Sequence, residues 1–310
     1  MNISAETDPC NANELNYLFT EGARLFYLCS LVTRLLITIT TIIFNFMFIA
    51  ALLTDKHLKN NISKKLMMIL SVIDLLQGFL CWPIAIYLNT GWLYLERNCL
   101  LSKILYSLGY ILSFATITVV FLIALDQYLA IVHPFFYISQ VTLRRLLVPW
   151  IPIHLALCVF NFIGRFMSLK VWHLYRYVIA VMIFAIMLVL AYVHLGTIKQ
   201  ASIATKKINK TNKEEAKQIK LRAQASRSTL IVFLATVLCY LPLITYNAYE
   251  SVGKRTSFSK TFLKLPAEMI TLSTSVIDPI VYFCRLRCLR IAAKKILHTP
   301  WCKNKVSVSP

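Results

Sequence analysis

The sequence predicts an all-α membrane protein: a bundle of seven transmembrane helices, followed by a short amphipathic helix. Two observations lead to this fold class. Of the 310 residues, 58% are hydrophobic and only 15% are charged. The apolar residues are also gathered into long stretches, and a helix needs ~20 mostly apolar residues to cross a hydrocarbon core of ~30 Å. Seven such stretches, numbered here as spans one to seven, lie near 28–54, 64–88, 98–132, 143–164, 173–198, 224–248 and 262–283.

The spans are expected to be helices because lipid offers no partner to exposed backbone N–H and C=O groups. They place the transmembrane bundle at 28–283. The preceding segment, 1–27, is polar and acidic, which predicts an extracellular N-terminal segment. Asn2 begins an Asn-Ile-Ser sequence there, so it is a candidate glycosylation site and the protein a candidate glycoprotein.

Lys and Arg residues are divided unevenly between the two ends of the spans. Of the 33, 22 fall on the side that holds the 55–65 connection, the 199–227 loop and the chain after Tyr282. Positive charge is retained in the cytoplasm during insertion, so this side is predicted to be inside. The expected arrangement is a multi-pass plasma-membrane protein with an extracellular N-terminus. The net charge of +20 is therefore assigned to membrane lipids and not to nucleic acid.

The last segment, 284–310, begins with basic residues that alternate with apolar ones at helical spacing. This pattern predicts an amphipathic helix on the inner membrane surface, followed by a cytoplasmic tail. Cys284, Cys288 and Cys302 fall in this segment, where they are either palmitoylated or free thiols.

Short motifs stand at characteristic places in the spans. They are the intramembrane Asn45, Leu70-Ser71-Val72-Ile73-Asp74, Asp126-Gln127-Tyr128, Cys239-Tyr240-Leu241-Pro242 and Asp278-Pro279-Ile280-Val281-Tyr282. In this order and spacing they resemble the motifs of rhodopsin-like (class A) G-protein-coupled receptors, and the resemblance covers nearly the whole chain. A weaker similarity to melanocortin-type receptors rests on four features: a short second outer loop around 165–176, no cysteine in that loop, no proline in span five, and Asp-Pro in span seven.

The resemblance implies an ion pocket in the middle of the bundle. In the family the aspartate of span two organises a sodium site, and the matching residues here are Asp74, Asn45, Thr116, Thr274, Ser275 and Asp278. Two neighbouring carboxylates cannot both ionise cheaply, so Asp74 and Asp278 are expected to share a proton or hold a sodium ion. The alternative is a neutral, hydrogen-bonded acid that only braces the bundle.

The resemblance also implies an activation switch. Its members here are Asp126, Gln127, Tyr128, Tyr240, Pro242, Pro279 and Tyr282. The two prolines remove backbone hydrogen bonds and loosen spans six and seven. Gln127 stands where the family usually has Arg, and it cannot form an ion pair with Asp126. The substitution predicts a weak resting lock and reduced coupling to a heterotrimeric G protein.

A ligand pocket is expected between the outer halves of the spans. Gly109 stands where amine receptors have an Asp and Leu272 where opsins attach retinal, so neither an amine receptor nor a retinal cofactor is expected. The candidate ligand-binding residues are Glu268, Tyr106, Tyr110, Ser113, Tyr246 and Asn247. Aromatic and polar groups together suit an extracellular small-molecule or peptide ligand. The tyrosines could equally line the membrane interface, where Tyr is enriched.

The predicted function is that of a receptor, not an enzyme, which moves the inner halves of spans five and six when an extracellular ligand binds. No arrangement of catalytic residues or phosphate-binding loop is found in the sequence. Two alternatives remain at this point. One is a receptor-like decoy or chaperone with little or no G-protein coupling, which Gln127 favours. The other is a seven-helix transporter, although few charged residues lie deep in the spans.

Overall fold

The computed structural model describes residues 21–54, 61–93, 99–166, 169–208, 230–246, 249, 260–285 and 290–291. Within these ranges the chain is almost entirely helical and contains no strand. Six helical segments are long and apolar enough to cross a membrane. The sixth predicted span is described as the apolar helix Leu230–Tyr246, and its expected ends at 224–229 and 247–248 lie outside the described residues. The observed architecture agrees with the predicted seven-helix membrane bundle.

The helices follow one another in the predicted order. Span one is Glu21–Leu53, span two is Ile62–Leu76 with the π-helical turn Gln77–Cys81 and Trp82–Leu93, and span three is Cys99–Val132. The short helix Pro134–Gln140 comes next; then Leu143–Leu147 and Trp150–Phe166 form span four, and Leu169–Ile208 forms span five. Span seven consists of the π-helical turn Lys260–Lys264 and the helices Leu265–Leu272 and Thr274–Arg285.

Some boundaries differ from the expected ones. Span one begins at Glu21 and span five runs from Leu169 to Ile208, so both helices continue past their apolar stretches. The expectation of an outer loop around 165–176 is wrong in its extent, because Leu169 already belongs to span five. A helix satisfies its own backbone hydrogen bonds in water as well as in lipid, so hydropathy alone does not mark its ends. Of the segment 284–310, only 284–285 and 290–291 are described, and its amphipathic helix stays a prediction.

Local sequence explains several helix starts. The Asn61 side chain accepts a hydrogen bond from the Lys64 N–H at 3.0 Å and caps span two. Thr142 caps the first part of span four in the same way. Gly78, in the π-helical turn, allows span two to approach span one closely. A Cβ at this position would lie 3.2 Å from Cγ1 of Ile42.

Span three is the centre of the bundle, packing against spans two, four and five, while span one packs against spans two and seven. Two buried apolar clusters share span three. One joins it to spans one, two, six and seven and includes Phe48, Leu66, Ile123 and Tyr282. The other joins it to spans four, five and six through Leu157, Leu190 and Tyr240. Large apolar side chains, among them Phe46, Phe184 and Leu238, are exposed on the outer surface of the bundle, as expected of a surface solvated by lipid.

Candidate functional site

Two buried carboxylates form the centre of the candidate site. Asp74 in span two is 0% exposed and Asp278 in span seven is 1% exposed. The two groups lie close enough to interact electrostatically. None of their four carboxylate oxygens has a hydrogen-bond partner. Because an unpaired charge is costly inside the bundle, we expect the two carboxylates to bind a proton or a cation.

A ring of polar side chains surrounds the carboxylates. The Asn45 amide donates to the backbone oxygen of Ser275 at 2.7 Å and joins span one to span seven. Gln77 donates to Thr116 Oγ1 and accepts from Ser275 Oγ, both at 3.3 Å. The Ser275 hydroxyl also lies close to Asp74, but it has a single proton, which it donates to Gln77.

The six residues predicted for the ion pocket are all buried: Asn45, Asp74, Thr116, Thr274, Ser275 and Asp278. Three of these residues have buried side-chain oxygen atoms without a hydrogen-bond partner: both carboxylate oxygens of Asp74, both of Asp278, and Oδ1 of Asn45. Oxygen donors suit a hard cation such as sodium, so the residues present fit the expected ion. Thr116 and Ser275, in contrast, are engaged by Gln77. No cluster of three His, Cys, Asp or Glu side chains suited to a metal occurs among the described residues.

Above this pocket, Tyr240 connects two groups of predicted residues. Its buried side chain lies beside Ser113 of span three and within electrostatic reach of Asp74 and Asp278. The ring therefore stands between a candidate ligand-binding residue and the carboxylate pair. In the family motif this position is usually Trp, which has no hydroxyl group.

The half of span three that is predicted to face outward has open space at Gly109, where a Cβ would meet no atom within 4 Å. One residue further on, Tyr110 is half-buried against the cluster shared by spans three to six, and Tyr246 is fully buried. Tyr106 lies in the helix of span three, but its side chain is outside the described part of the structure, as is Asn247.

Glu268 lies at the outer half of span seven and is paired within the protein. Arg34 Nη2 of span one donates to Glu268 Oε2 at 3.0 Å, although the two residues are 234 positions apart. Lys264 Nζ lies 3.7 Å from the other carboxylate oxygen. A cationic ligand group would have to compete with Arg34, whose pairing with Glu268 was not predicted. The signal for its role was its place inside a 30-residue apolar stretch, where an Arg needs a partner.

At the inner end of span three, Asp126 is held by two hydroxyl groups. Ser63 of span two donates to its Oδ2 atom, and Tyr137 of the helix Pro134–Gln140 donates to Oδ1 at 2.9 Å. The carboxylate is 1% exposed, and Gln127 beside it is also buried. Ser63 and Tyr137 were not foreseen, because the motif itself gives no information on partners outside it.

The remaining switch residues lie on spans three, six and seven, at contacts with neighbouring spans or at prolines inside the helices. Tyr128 packs against Gly196 of span five, where an added Cβ would lie 3.0 Å from Cε2 of the ring. Pro242 and Pro279 both lie inside helices. Tyr282 is 1% exposed, and its ring centroid is 5.8 Å from that of Phe48. Whether these residues act as a switch stays a prediction.

The predicted modification sites are mostly outside the described residues, namely Asn2, Cys288 and Cys302. Cys284 is an exposed free thiol at the end of span seven. The structure thus leaves this cysteine accessible, and its palmitoylation stays a prediction.

Comparison with known proteins gives the following matches. The family described as "7 transmembrane receptor (rhodopsin family)" matches residues 44–282. The chain is 23% identical over 290 residues to cannabinoid receptor type 1B of Takifugu rubripes, an alignment that covers 83% of this chain and 60% of that protein. It is also 23% identical over 283 residues to cannabinoid receptor 1 of Taricha granulosa, with 81% and 59% covered. The chain thus spans about three fifths of the length of these two relatives. The weaker similarity to melanocortin-type receptors stays a prediction.

Proposed function

Since this chain belongs to the rhodopsin family of seven-transmembrane receptors, we propose that it is a plasma-membrane receptor for an extracellular small-molecule or peptide ligand. Members of the family are receptors and not enzymes, so the prediction that the chain is not an enzyme is confirmed. It is a multi-pass membrane protein. In our proposal, ligand binding in the outer half of the bundle moves the inner halves of spans five and six.

The position of Tyr240 is the observation that carries this proposal. Its side chain touches the predicted ligand region at Ser113 and interacts with Asp74 and Asp278 at mid-membrane. A ligand that displaces Ser113 or the Tyr240 ring therefore changes the surroundings of the carboxylate pair. Pro242 follows two residues later, where the helix of span six can bend. This arrangement supports a path from an outer ligand to the inner half of span six.

The proposed ligand pocket is bounded by Tyr106, Tyr110, Ser113, Tyr246, Asn247 and Glu268. The open space at Gly109 supports a pocket in this region. Aromatic walls and few polar groups favour a mainly apolar ligand. The names of the two relatives add cannabinoid ligands to the candidates, and we propose them as a first class to be screened.

The proposed occupant of the carboxylate pair is a sodium ion or a proton. Asp74, Asp278 and the Asn45 amide oxygen would hold the ion. A cation here would neutralise the two acids and hold spans one, two and seven together. Its binding would stabilise the resting arrangement, because an ion adds stability to the state that binds it.

The proposed partner on the inner side is a heterotrimeric G protein. Phe135 is 89% exposed and Ile138 is 80% exposed on the helix Pro134–Gln140, beside the predicted switch. Exposed apolar side chains of this size suit a protein contact. Gln127 favours a second candidate, a receptor-like protein that binds ligand with weak or no G-protein coupling.

The experiment that tests the proposal is ligand-stimulated nucleotide exchange on G proteins, measured in membranes that contain the chain. Small-molecule, peptide and cannabinoid ligands form the panel. We expect at least one ligand to raise exchange. Tyr240→Phe should lower its potency about five-fold, since the variant loses the hydrogen bond between the Tyr240 hydroxyl and Ser113. Tyr249→Phe, at an exposed Tyr that follows the helix Leu230–Tyr246 in the chain, is the control.

The possible outcomes distinguish a coupled receptor from a receptor-like protein with weak or no G-protein coupling. Binding without exchange favours the receptor-like alternative. If no ligand of the panel binds and none raises nucleotide exchange, the receptor proposal is contradicted. An intact-cell protease assay tests the orientation: cleavage within 199–227 from outside would contradict the predicted extracellular N-terminus.

A further inference from the structure

Spans six and seven are both irregular, and the irregular parts lie against each other. Span six contains Pro242 inside the helix Leu230–Tyr246. Proline has no N–H group, and its ring pushes away carbonyl groups of the preceding turn. Span seven is broken at Ser273, between the helices Leu265–Leu272 and Thr274–Arg285. Each span therefore has a hinge. Span six lacks the N–H of Pro242, and span seven departs from regular helical geometry at Ser273, although the Ser273 N–H still donates to the Met269 oxygen at 3.1 Å.

Thr271 bridges the two hinges. Its hydroxyl donates to the backbone oxygen of Cys239 at 3.0 Å, in the turn that precedes Pro242. The same hydroxyl lies 2.9 Å from the Ala267 oxygen of its own helix, so one proton is shared between two acceptors. Thr271 is only 4% exposed, and water has little access to replace it. A second contact joins Cys239 Sγ to Ser273 Oγ at 3.8 Å.

Hydroxyl groups also close the break in span seven. Ser273 Oγ donates to the Ile270 oxygen at 2.6 Å, and Thr274 Oγ1 donates to the Thr271 oxygen at 2.8 Å. The Ile270 oxygen also accepts the Ser273 N–H at 3.2 Å, so the backbone remains hydrogen-bonded at the interruption. Thr271 lies two residues before this interruption, on the side that contacts span six.

We propose that Thr271 is a positioning residue that holds the hinge of span six against the hinge of span seven in the resting protein. Outward movement of the inner half of span six requires that the bond to the Cys239 oxygen be lost or exchanged. The inference rests on the proposed function, because it takes the movement of span six as the signal. It adds a residue outside the predicted ion pocket, ligand pocket and switch.

The test uses substitutions at Thr271 that separate the hydroxyl from the shape. Thr271→Val keeps the branched side chain and removes the donor, whereas Thr271→Ser keeps the donor. The receptor is purified in lipid nanodiscs without ligand. Spin labels are attached through a non-natural amino acid at Leu234 of span six and Ile151 of span four, 49% and 61% exposed respectively. Pulsed electron paramagnetic resonance then reports the distance between the two spans.

We expect Thr271→Val to raise the ratio of the longer-distance to the shorter-distance population about five-fold, as the loss of one hydrogen bond does. Thr271→Ser should reproduce the parent distribution. Thermal unfolding of each variant shows whether it is folded. Should Thr271→Val fail to fold, Thr271→Ala also removes the donor and carries the same expectation.

A parent-like distance distribution in a folded Val or Ala variant would overturn the proposal. An equal change in the Ser and Val variants would also do so, because the hydroxyl would then not be the cause. The distance measurement needs neither ligand nor G protein. If the chain never stimulates nucleotide exchange, the proposed function is contradicted, but the distance measurement still tests the role of Thr271.

Discussion

The substitution Glu268→Gln should destabilise the protein even without a ligand. Arg34 and Glu268 form an ion pair at 3.0 Å, with side chains that are only 4% and 17% exposed. Gln keeps the shape of the side chain and removes its charge. The Arg34 guanidinium then remains buried without a counter-ion, and Lys264, 3.7 Å from the present carboxylate, adds a second positive charge nearby.

The magnitude follows from this burial. Removing one partner of a buried ion pair costs about 3–5 kcal/mol, because the other charge stays desolvated. For a protein of this size that corresponds to a fall in the midpoint of thermal unfolding of roughly 5–8 °C. Arg34→Gln should cost less, since Glu268 is more exposed than Arg34 and keeps Lys264. The double variant Arg34→Gln/Glu268→Gln should recover most of the loss, because neither charge remains unpaired.

The assay is thermal unfolding of the purified parent, the two single variants and the double variant in the same detergent. If Glu268→Gln unfolds within about 2 °C of the parent, the ion pair does not contribute as the structure indicates. Additive losses in the double variant would contradict the coupling between Arg34 and Glu268.

The double variant can also be used to test the hypothesis that Glu268 binds the ligand. If Glu268 pairs with a cationic group of the ligand, the double variant should bind that ligand less tightly and a neutral analogue with little change.

Three further predictions concern the carboxylate pair and the inner end of span three. Asp74→Asn should weaken any sodium dependence of thermal stability, since it removes the charge and keeps the shape; unchanged sodium sensitivity in a folded variant would exclude Asp74 as an ion ligand. Tyr137→Phe should raise basal nucleotide exchange about ten-fold or more, because a hydrogen bond to a charged group contributes about 1.5–3 kcal/mol; an unaltered basal rate would show that Tyr137 does not restrain the resting state. Gln127→Arg should lower basal exchange and raise agonist-stimulated exchange at matched surface expression, through an ion pair with Asp126; parent-like values in both conditions would mean that this position is not the switch.

Much of the membrane architecture could be predicted because its cause is local. The thickness of the hydrocarbon core and the cost of unpaired backbone groups act on each apolar stretch separately. The same reasoning selects rare polar residues inside the spans. Asn45, Asp74 and Asp278, chosen from the sequence, are all buried in the bundle. Their proposed roles as ion ligands still await the measurements above.

Contacts between spans could not be predicted from hydropathy. Whether a polar residue in a span finds a partner depends on how each helix is rotated and on which neighbour it packs against. Gln77 lies in a π-helical turn that shifts the helical register, and it takes Thr116 and Ser275 as partners instead of leaving both to an ion. No periodicity in the sequence indicated that turn.

The amino-acid sequence is enough to place the spans and the polar residues that lie inside them, because each follows from the cost of exposing a group to lipid. The pairing of those residues is visible only in the folded bundle. Arg34 meets Glu268 across 234 positions, and Thr271 reaches the Cys239 carbonyl on the neighbouring span. Such bonds form where a donor atom of one helix comes within about 3 Å of an acceptor atom of another. That distance is set by the packing of the whole bundle, which no single stretch of the chain specifies.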